Sequence, residues 1–201
     1  MVGGYLNVPW LLTAYRRGIF PWPICDEYQQ ILAWFSPDPR AILDLDALHI
    51  SRRLRRRLRS RQFDVSFDRD FEAVIRACAA PRREDPLTWI TPELAAAYQQ
   101  LHRKGHAHSV EVWQGSRLVG GLYGLAIGGF FSGESMFHRA RDASKVALVH
   151  LVQRLRRQGF ALLDVQQTSP HLTRMGATEI TRDAFLARLE TAVNLPVQFA
   201  D

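Results

Sequence analysis

Gly120-Gly121-Leu122-Tyr123-Gly124, Phe130-Phe131-Ser132-Gly133-Glu134-Ser135-Met136-Phe137, Ala143 to Gln158 and Leu162-Leu163-Asp164-Val165-Gln166-Gln167 follow one another in a single stretch of the chain. Val119 to Ile127 and Gly129 to Met136 are apolar runs punctuated by glycine, the pattern of buried strands or a hairpin. Ser144 is expected to cap a helix whose Leu148, Leu151, Val152 and Leu155 recur at i, i+3, i+4 and i+7, with Arg154, Arg156 and Arg157 largely off that stripe. Gly159 stops it, and Phe160 to Val165 returns as a strand. Strand, strand, helix, strand is the reading, and a period of two puts Asp164 and Gln166 on the face opposite Leu163 and Val165. A carboxylate beside an amide at the end of an apolar strand is costly unless something uses it. Glu134, among Phe130, Phe131, Met136 and Phe137, poses the same problem. From the residues alone, Glu134 and Asp164 are either functional groups, or buried carboxylates satisfied by backbone N–H groups or an Arg.

Outward from this centre the chain holds one further concentration of chemistry. Arg52, Arg53, Arg55, Arg56, Arg57, Arg59 and Arg61 fall within one short segment without an acid, while the whole 201-residue chain carries a net charge of +6. The protein therefore has one basic patch rather than a basic surface. Ser51 starts a helix with a narrow stripe of Leu54 and Leu58. Like charges spaced this closely along a helix repel, and Arg is suited to phosphate, so a nucleic-acid backbone is the expected partner, in a positioning contact without base reading.

The remaining segments are structural. Residues 1–40 are read as a small aromatic-rich N-terminal lobe with a helix near Pro9 to Arg17, and residues 41–201 as the main domain. Trp34 to Arg40 is expected to be extended or turn-like. Asp70 to Ala80 buries Phe71, Val74, Ile75 and Cys78, and Pro81 to Pro86 is a charged loop. Thr91 caps a helix from Glu93 to Lys104 with Pro92 in its first turn. His102, His106 and His108 invite a metal reading, which fails because Gly105 breaks the helix between the first two. Cys25 and Cys78 suit neither a disulfide framework nor a metal. No run is apolar enough for a membrane span and no secretory signal is seen, so the cytoplasm is expected. Thr181 caps a closing helix, and the tail from Asn194 is left unassigned.

An irregular alternation with a hairpin ahead of the central helix suits a mixed α/β sheet of the N-acetyltransferase, acyltransferase-like kind. A CoA enzyme needs a glycine-rich turn at the central helix N-terminus, whereas His138 to Lys145 has no glycine and carries Asp142. Ser135 lacks the glycines of a nucleophile elbow, and no Walker-type loop is present. A non-catalytic RNA-binding protein using only the arginine helix stays open on the residues alone.

The chain resembles the leucyl/phenylalanyl-tRNA–protein transferases through Gly133-Glu134-Ser135-Met136-Phe137, Ala143-Ser144-Lys145 and Leu163-Asp164-Val165-Gln166. Tyr15 to Trp22, Trp34 to Arg40 and His106 to Trp113 match as well, in the family's order, from about Leu11 to about Leu189. The resemblance implies transfer of Leu or Phe, and also Met, from aminoacyl-tRNA to the α-amine of proteins beginning with Arg or Lys, marking them for N-end-rule degradation. No cofactor or metal is implied, and a monomer is expected. By the same resemblance Asp164 accepts a proton or polarises the amine with Gln166 beside it, and Glu134 binds the basic acceptor side chain. Leu122, Leu148, Leu151, Leu155 and Leu163 map to the aminoacyl pocket, although periodicity also makes them core. Tyr15, Trp22, Trp89 and Tyr98 line the acceptor-peptide cleft, and Arg52, Arg53, Arg55, Arg56 and Arg59 contact the tRNA. Asp164→Ala is expected to abolish transfer and leave the fold intact. Family members extend further ahead of the first motif, so the lobe is expected to be trimmed. A related group acts on N-terminal Asp or Glu, and Gln167 to Leu172 fits either group.

Overall fold

The computed structural model describes residues 2–25, 30–81 and 88–199. In chain order the elements are α1 Val8–Arg16, β1 Phe20–Pro21, β2 Ile24–Cys25, β3 Gln30–Ile31, β4 Trp34–Phe35, β5 Arg40–Leu43, α2 Arg52–Arg59, β6 Asp64–Phe67 and α3 Phe71–Ala79. They continue as α4 Pro92–Arg103, β7 Ala107–Gln114, β8 Arg117–Ile127, β9 Phe130–His138, α5 Ala143–Gln158, β10 Leu162–Gln166, α6 Pro170–Arg174, β11 Ala177–Ile180 and α7 Arg182–Ala192. The charged loop expected from Pro81 to Pro86 falls largely outside the described residues.

Seven strands form one mixed sheet in the order β11-β5-β10-β9-β8-β7-β6. From β6 to β9 the neighbours are antiparallel, as short connections allow. β9 and β10 are parallel, with α5 as the crossover helix between them. This is the mixed α/β architecture expected from the sequence. Apolar side chains cover both faces. On one, Leu11 and Tyr15 of α1, Val74 of α3, Leu94 of α4 and Phe185 of α7 pack against Leu125 and Phe130. On the other, Leu54 of α2 and Leu148, Leu151 and Leu155 of α5 pack against Leu122, Phe131 and Leu163. Trp34, Leu11 and Tyr15 of the N-terminal segment belong to the first of these clusters.

Several expectations need correction. β5, β6 and β11 were not anticipated as strands; β5 joins the sheet between β10 and β11, pairing with residues more than a hundred positions away. Ser144 is not a cap. Asp142 holds the N-cap position with φ 68 and no capping bond from its side chain. β8 packs directly on this end of α5: a Cβ on Gly120 would lie 2.5 Å from that of Ala143. The helix thus begins immediately under the strand and draws Ser144 into its buried first turn. Arg154 is buried rather than solvated, its guanidinium 3.9 Å from the Phe67 ring centre and 5.0 Å from that of Phe199 in the tail. Ser51, Thr91 and Thr181 start their helices as expected, and Asp70, read as the first residue of α3, is its cap.

Candidate active site

The site forms where β9 and β10 part. They pair in register only from Phe130 to Ser132 against Leu162 to Asp164. Beyond that point β9 stays with β8 and β10 turns toward β5, opening a cavity of about 920 Å³ between them. Two irregularities aim polar groups at this gap. In β8–β9, Tyr123 faces Ser135 but Gly124 faces Gly133, so Glu134 is the extra residue of a bulge and has no partner across the ladder. Gly124 permits the close approach there, since a Cβ would meet Ser132 O at 2.2 Å. In β10, Gln166 takes φ 58 as the register shifts against β5. Strict alternation therefore ends just before Gln166, and the residue closes the strand on the cavity wall.

Glu134 lines the cavity and is held by neutral donors: Tyr98 Oη at 2.8 Å, Ser132 Oγ at 2.8 Å and, more distantly, Gln166 Nε2 at 3.5 Å. Burial outweighs these bonds and pushes its carboxyl up to about 7. Behind it Tyr15 and Tyr98 share a short hydroxyl–hydroxyl bond, and burial beside Glu134 raises both phenols well above their ordinary range. Gln166 Nε2 donates to Ser132 Oγ at 2.7 Å.

Asp164 is fully buried and faces away from the cavity lining. Arg40 grips it in two-pronged fashion, Nε to Oδ1 at 2.9 Å and Nη2 to Oδ2 at 2.6 Å, and the Gln166 N–H donates to Oδ1 at 2.9 Å. Arg40 itself donates to Gly18 O and lies between the rings of Phe20 and Phe185, at 4.9 and 4.4 Å. Of the two alternatives the residues left open for Asp164, satisfaction by an Arg is the one observed.

The sequence-derived residues separate into groups. Leu122, Leu148, Leu151 and Leu163 line the cavity, whereas Leu155 is core without reaching it. Tyr15 and Tyr98 stand beneath Glu134 rather than on an open wall. Trp22 and Trp89 stack on each other, centres 4.7 Å apart and 9° from parallel, and neither lines the cavity. Arg52, Arg53, Arg55, Arg56 and Arg59 are exposed on α2, and Arg53 reaches the cavity mouth. Among the described residues no group of His, Cys, Asp or Glu is arranged to hold a metal ion; His108 instead pairs with Asp68 at 2.7 Å. Sequence reasoning missed Arg40 and Ser132. Arg40 follows Pro39 in what reads as a turn, but Ser132, two residues before Glu134 on the same strand, carries a usable signal in the alternation.

Comparison with known proteins identifies the family. Residues 42–190 match the family described as leucyl/phenylalanyl-tRNA protein transferase, and residues 4–38 match its N-terminal domain. The leucyl/phenylalanyl-tRNA–protein transferase of Azoarcus sp. (strain BH72) is 55% identical over 188 residues, which is 94% of this chain and 79% of that protein. The Pseudomonas aeruginosa protein of the same name is 54% identical over 190 residues, 94% of this chain and 82% of that one. Among solved structures, a GCN5-related N-acetyltransferase from Kribbella flavida superposes with a TM-score of 0.46 at 12% identity, over 87% of this chain and 60% of that one. L-PGS from Bacillus licheniformis gives 0.45 at 12%, over 82% and 52%. Both structural likenesses are too weak to bear on function.

Proposed function

The chain belongs to the leucyl/phenylalanyl-tRNA protein transferase family and is an aminoacyltransferase, and we propose that it moves Leu, Phe or Met from charged tRNA onto protein N-termini beginning with Arg or Lys. The observation that carries this reading is the cavity in the β9–β10 gap, with leucines on one side and, on the other, Glu134 and Gln166, both bonded to the buried Ser132. A floor of Leu122, Leu148, Leu151 and Leu163 suits an unbranched-friendly apolar side chain. It discriminates weakly among Leu, Phe and Met, because a methylene is worth only ~1–3 kcal/mol.

An aminoacyl ester is already activated, so the reaction needs alignment more than activation. The α-amine attacks the ester carbonyl, the C–N bond forms as the bond to the ribose oxygen breaks, and the amine's proton ends on that oxygen. Atoms and charge balance without an external cofactor. Roughly a tenth of an amine with pKa ~7.7–8.0 is neutral at pH 7, and holding the reactants in line supplies ~7–11 kcal/mol. Gln166 is assigned to orient the reacting groups. Asp164 acts through it as a positioning residue, since its oxygens are committed to Arg40 and to the Gln166 N–H.

Glu134 is assigned to the basic side chain of the acceptor. A carboxyl raised to about 7 by burial, with hydroxyl and amide partners but no cation, gains its counter-charge from an incoming Arg or Lys. The exposed arginines of α2 are assigned to the tRNA backbone. This reading marks basic N-termini for N-end-rule degradation and places the reaction in the cytoplasm with a monomeric enzyme. The test is the rate ratio for Arg-initiated over Asp-initiated peptides, with phenylalanyl-tRNA as donor, in wild type and Glu134→Gln. Wild type is expected to prefer Arg, and Glu134→Gln to lose ~2–5 kcal/mol on basic acceptors. A wild-type preference for Asp moves the chain to the group acting on acidic N-termini.

A further inference from the structure

The cavity reaches both faces of the sheet. Along β8, Leu122 belongs to the apolar core on the α5 side and Tyr123 to the core on the α3 side, yet both residues line the cavity. Beyond Ser132 the β10-facing margin of β9 is unpaired, and the cavity wraps around it. Leucines fill the α5 side, so the α3 side, with Tyr123 and Ala77, is left for the second substrate. Phenols crowd this side. Burial and the charge of Glu134 raise Tyr15, Tyr98 and Tyr123 alike, so each keeps its proton. Tyr98 Oη donates to Glu134 and shares a bond with Tyr15 Oη, but the Tyr123 hydroxyl is buried with no hydrogen-bond partner. The Tyr123 side chain is fully buried, and its ring is held edge-on by Tyr98, 5.3 Å between centres, and by Phe71, at 5.8 Å. A ring so held does not swing to find a partner. Phenylalanine would make the same ring contacts without the cost of an open buried hydroxyl.

We propose that the Tyr123 hydroxyl reads the guanidinium of a peptide beginning with Arg, and that with Glu134 it selects Arg over Lys. The inference rests on the assignment of Glu134 to the basic side chain of the incoming peptide. A carboxylate offers about four lone-pair sites. Tyr98 occupies one on Oε2, while Ser132 and, at longer range, Gln166 face Oε1. Too little remains for a guanidinium, whose five N–H donors lie in one rigid plane. Tyr123 Oη stands on the neighbouring strand at the same bulge, since Tyr123 faces Ser135, the residue after Glu134. Its free lone pairs take the edge of the guanidinium that the carboxylate leaves over. An ammonium is a compact point charge with rotatable donors, and one open lone pair of Glu134 is enough for it. An uncharged phenol oxygen adds direction rather than attraction, which is what a choice between two cations requires.

Tyr123→Phe deletes the oxygen and keeps the ring. Its melting temperature is expected to match or exceed that of wild type, because an open buried hydroxyl is removed. Transfer is measured with phenylalanyl-tRNA as donor and two peptides that differ only in a first residue of Arg or Lys. In Tyr123→Phe, KM is expected to rise about ten-fold for the Arg peptide, as loss of a hydrogen bond to a charged group does, and less than about three-fold for the Lys peptide. Glu134→Gln is the contrast and should lose on both. Binding is read apart from transfer by the rise in melting temperature that argininamide or lysinamide alone produces. Wild type should be stabilised more by argininamide, and Tyr123→Phe by both alike. An equal rise of KM on the two peptides would mean that the hydroxyl supports Glu134 instead of reading the guanidinium, and would overturn the inference. A Tyr123→Phe protein melting well below wild type would overturn it too, by giving the hydroxyl a structural role. If wild type uses neither peptide, the assignment of Glu134 falls and this inference with it. If wild type uses both and Tyr123→Phe keeps the same Arg-to-Lys ratio, the inference alone is refuted.

Discussion

Removing Asp164 exposes the central arrangement of the molecule to measurement. Asp164 and Arg40 are 0% and 1% exposed, joined by two short bonds, and the guanidinium is wedged between Phe20 and Phe185. Asp164→Ala deletes one partner and leaves a guanidinium in an apolar slot without counter-charge, a loss of ~3–5 kcal/mol. A domain of this size has only ~5–15 kcal/mol in total. At ~2–4 °C per kcal/mol, the melting temperature should fall by roughly 6–20 °C. Asp164→Ala is therefore expected to fold only marginally, unlike the intact fold expected from sequence. Its lost transfer activity, taken alone, would not separate chemistry from structure. Exchanging both partners for apolar residues, Arg40→Met with Asp164→Leu, should recover much of the stability. The assay pairs thermal melts with initial transfer rates well below every transition. If Asp164 only positions Gln166, Gln166→Ala should reproduce its loss of transfer with little loss of stability. An Asp164→Ala protein melting within ~2 °C of wild type would refute the buried-pair argument and return Asp164 to direct chemistry.

Two further outcomes are expected. Replacing Arg56 and Arg59 by Gln should raise KM for charged tRNA and reduce the slope of its log–log salt dependence by ~1–2, at ~0.9 for each phosphate contact on duplex; an unchanged slope would mean that α2 faces another partner. Glu134 gives a pH signature: because its folded pKa is raised from 4.5 to about 7, the folded state loses stability as pH climbs through that window and the full penalty is present above it. Glu134→Gln should therefore be stabilised relative to wild type by up to ~3 kcal/mol at pH 8 and by almost nothing at pH 4; a pH-independent difference in chemical denaturation would contradict the burial of this carboxyl.

Where the chain advertises its own local structure, the sequence was a sufficient guide. The strand–strand–helix–strand centre, the helix starts at Ser51, Thr91 and Thr181, and the inward residues of α3 all follow from spacing and from side chains that bond their own backbone. What escaped depends on distant partners. β5 and β11 are four residues each and become strands only because each finds the other and β5 finds β10. Arg154, an arginine on a helix, reads as solvated until Phe67 and Phe199 are brought over it. In the site, Glu134 and Gln166 could be picked out as polar residues in apolar strands, but the bulge and the left-handed residue that aim them are properties of pairing register. The partner of Asp164 lies 124 residues earlier in the chain, and nothing local in Pro39-Arg40-Ala41 marks it.

The position of β5 also sets a schedule. Residues 40–43 emerge early in synthesis, yet their sheet neighbours are residues 164–166 and 177–180. Arg40 can meet Asp164, and Gln166 can settle against Ser132, only once most of the polypeptide has left the ribosome. Until then an arginine, the rings around it and an unpartnered strand edge must wait, a slow and non-local closure. Folding is thus the step that licenses activity: a nascent chain that already carries the basic helix and half of the apolar pocket lacks the geometry to spend a charged tRNA.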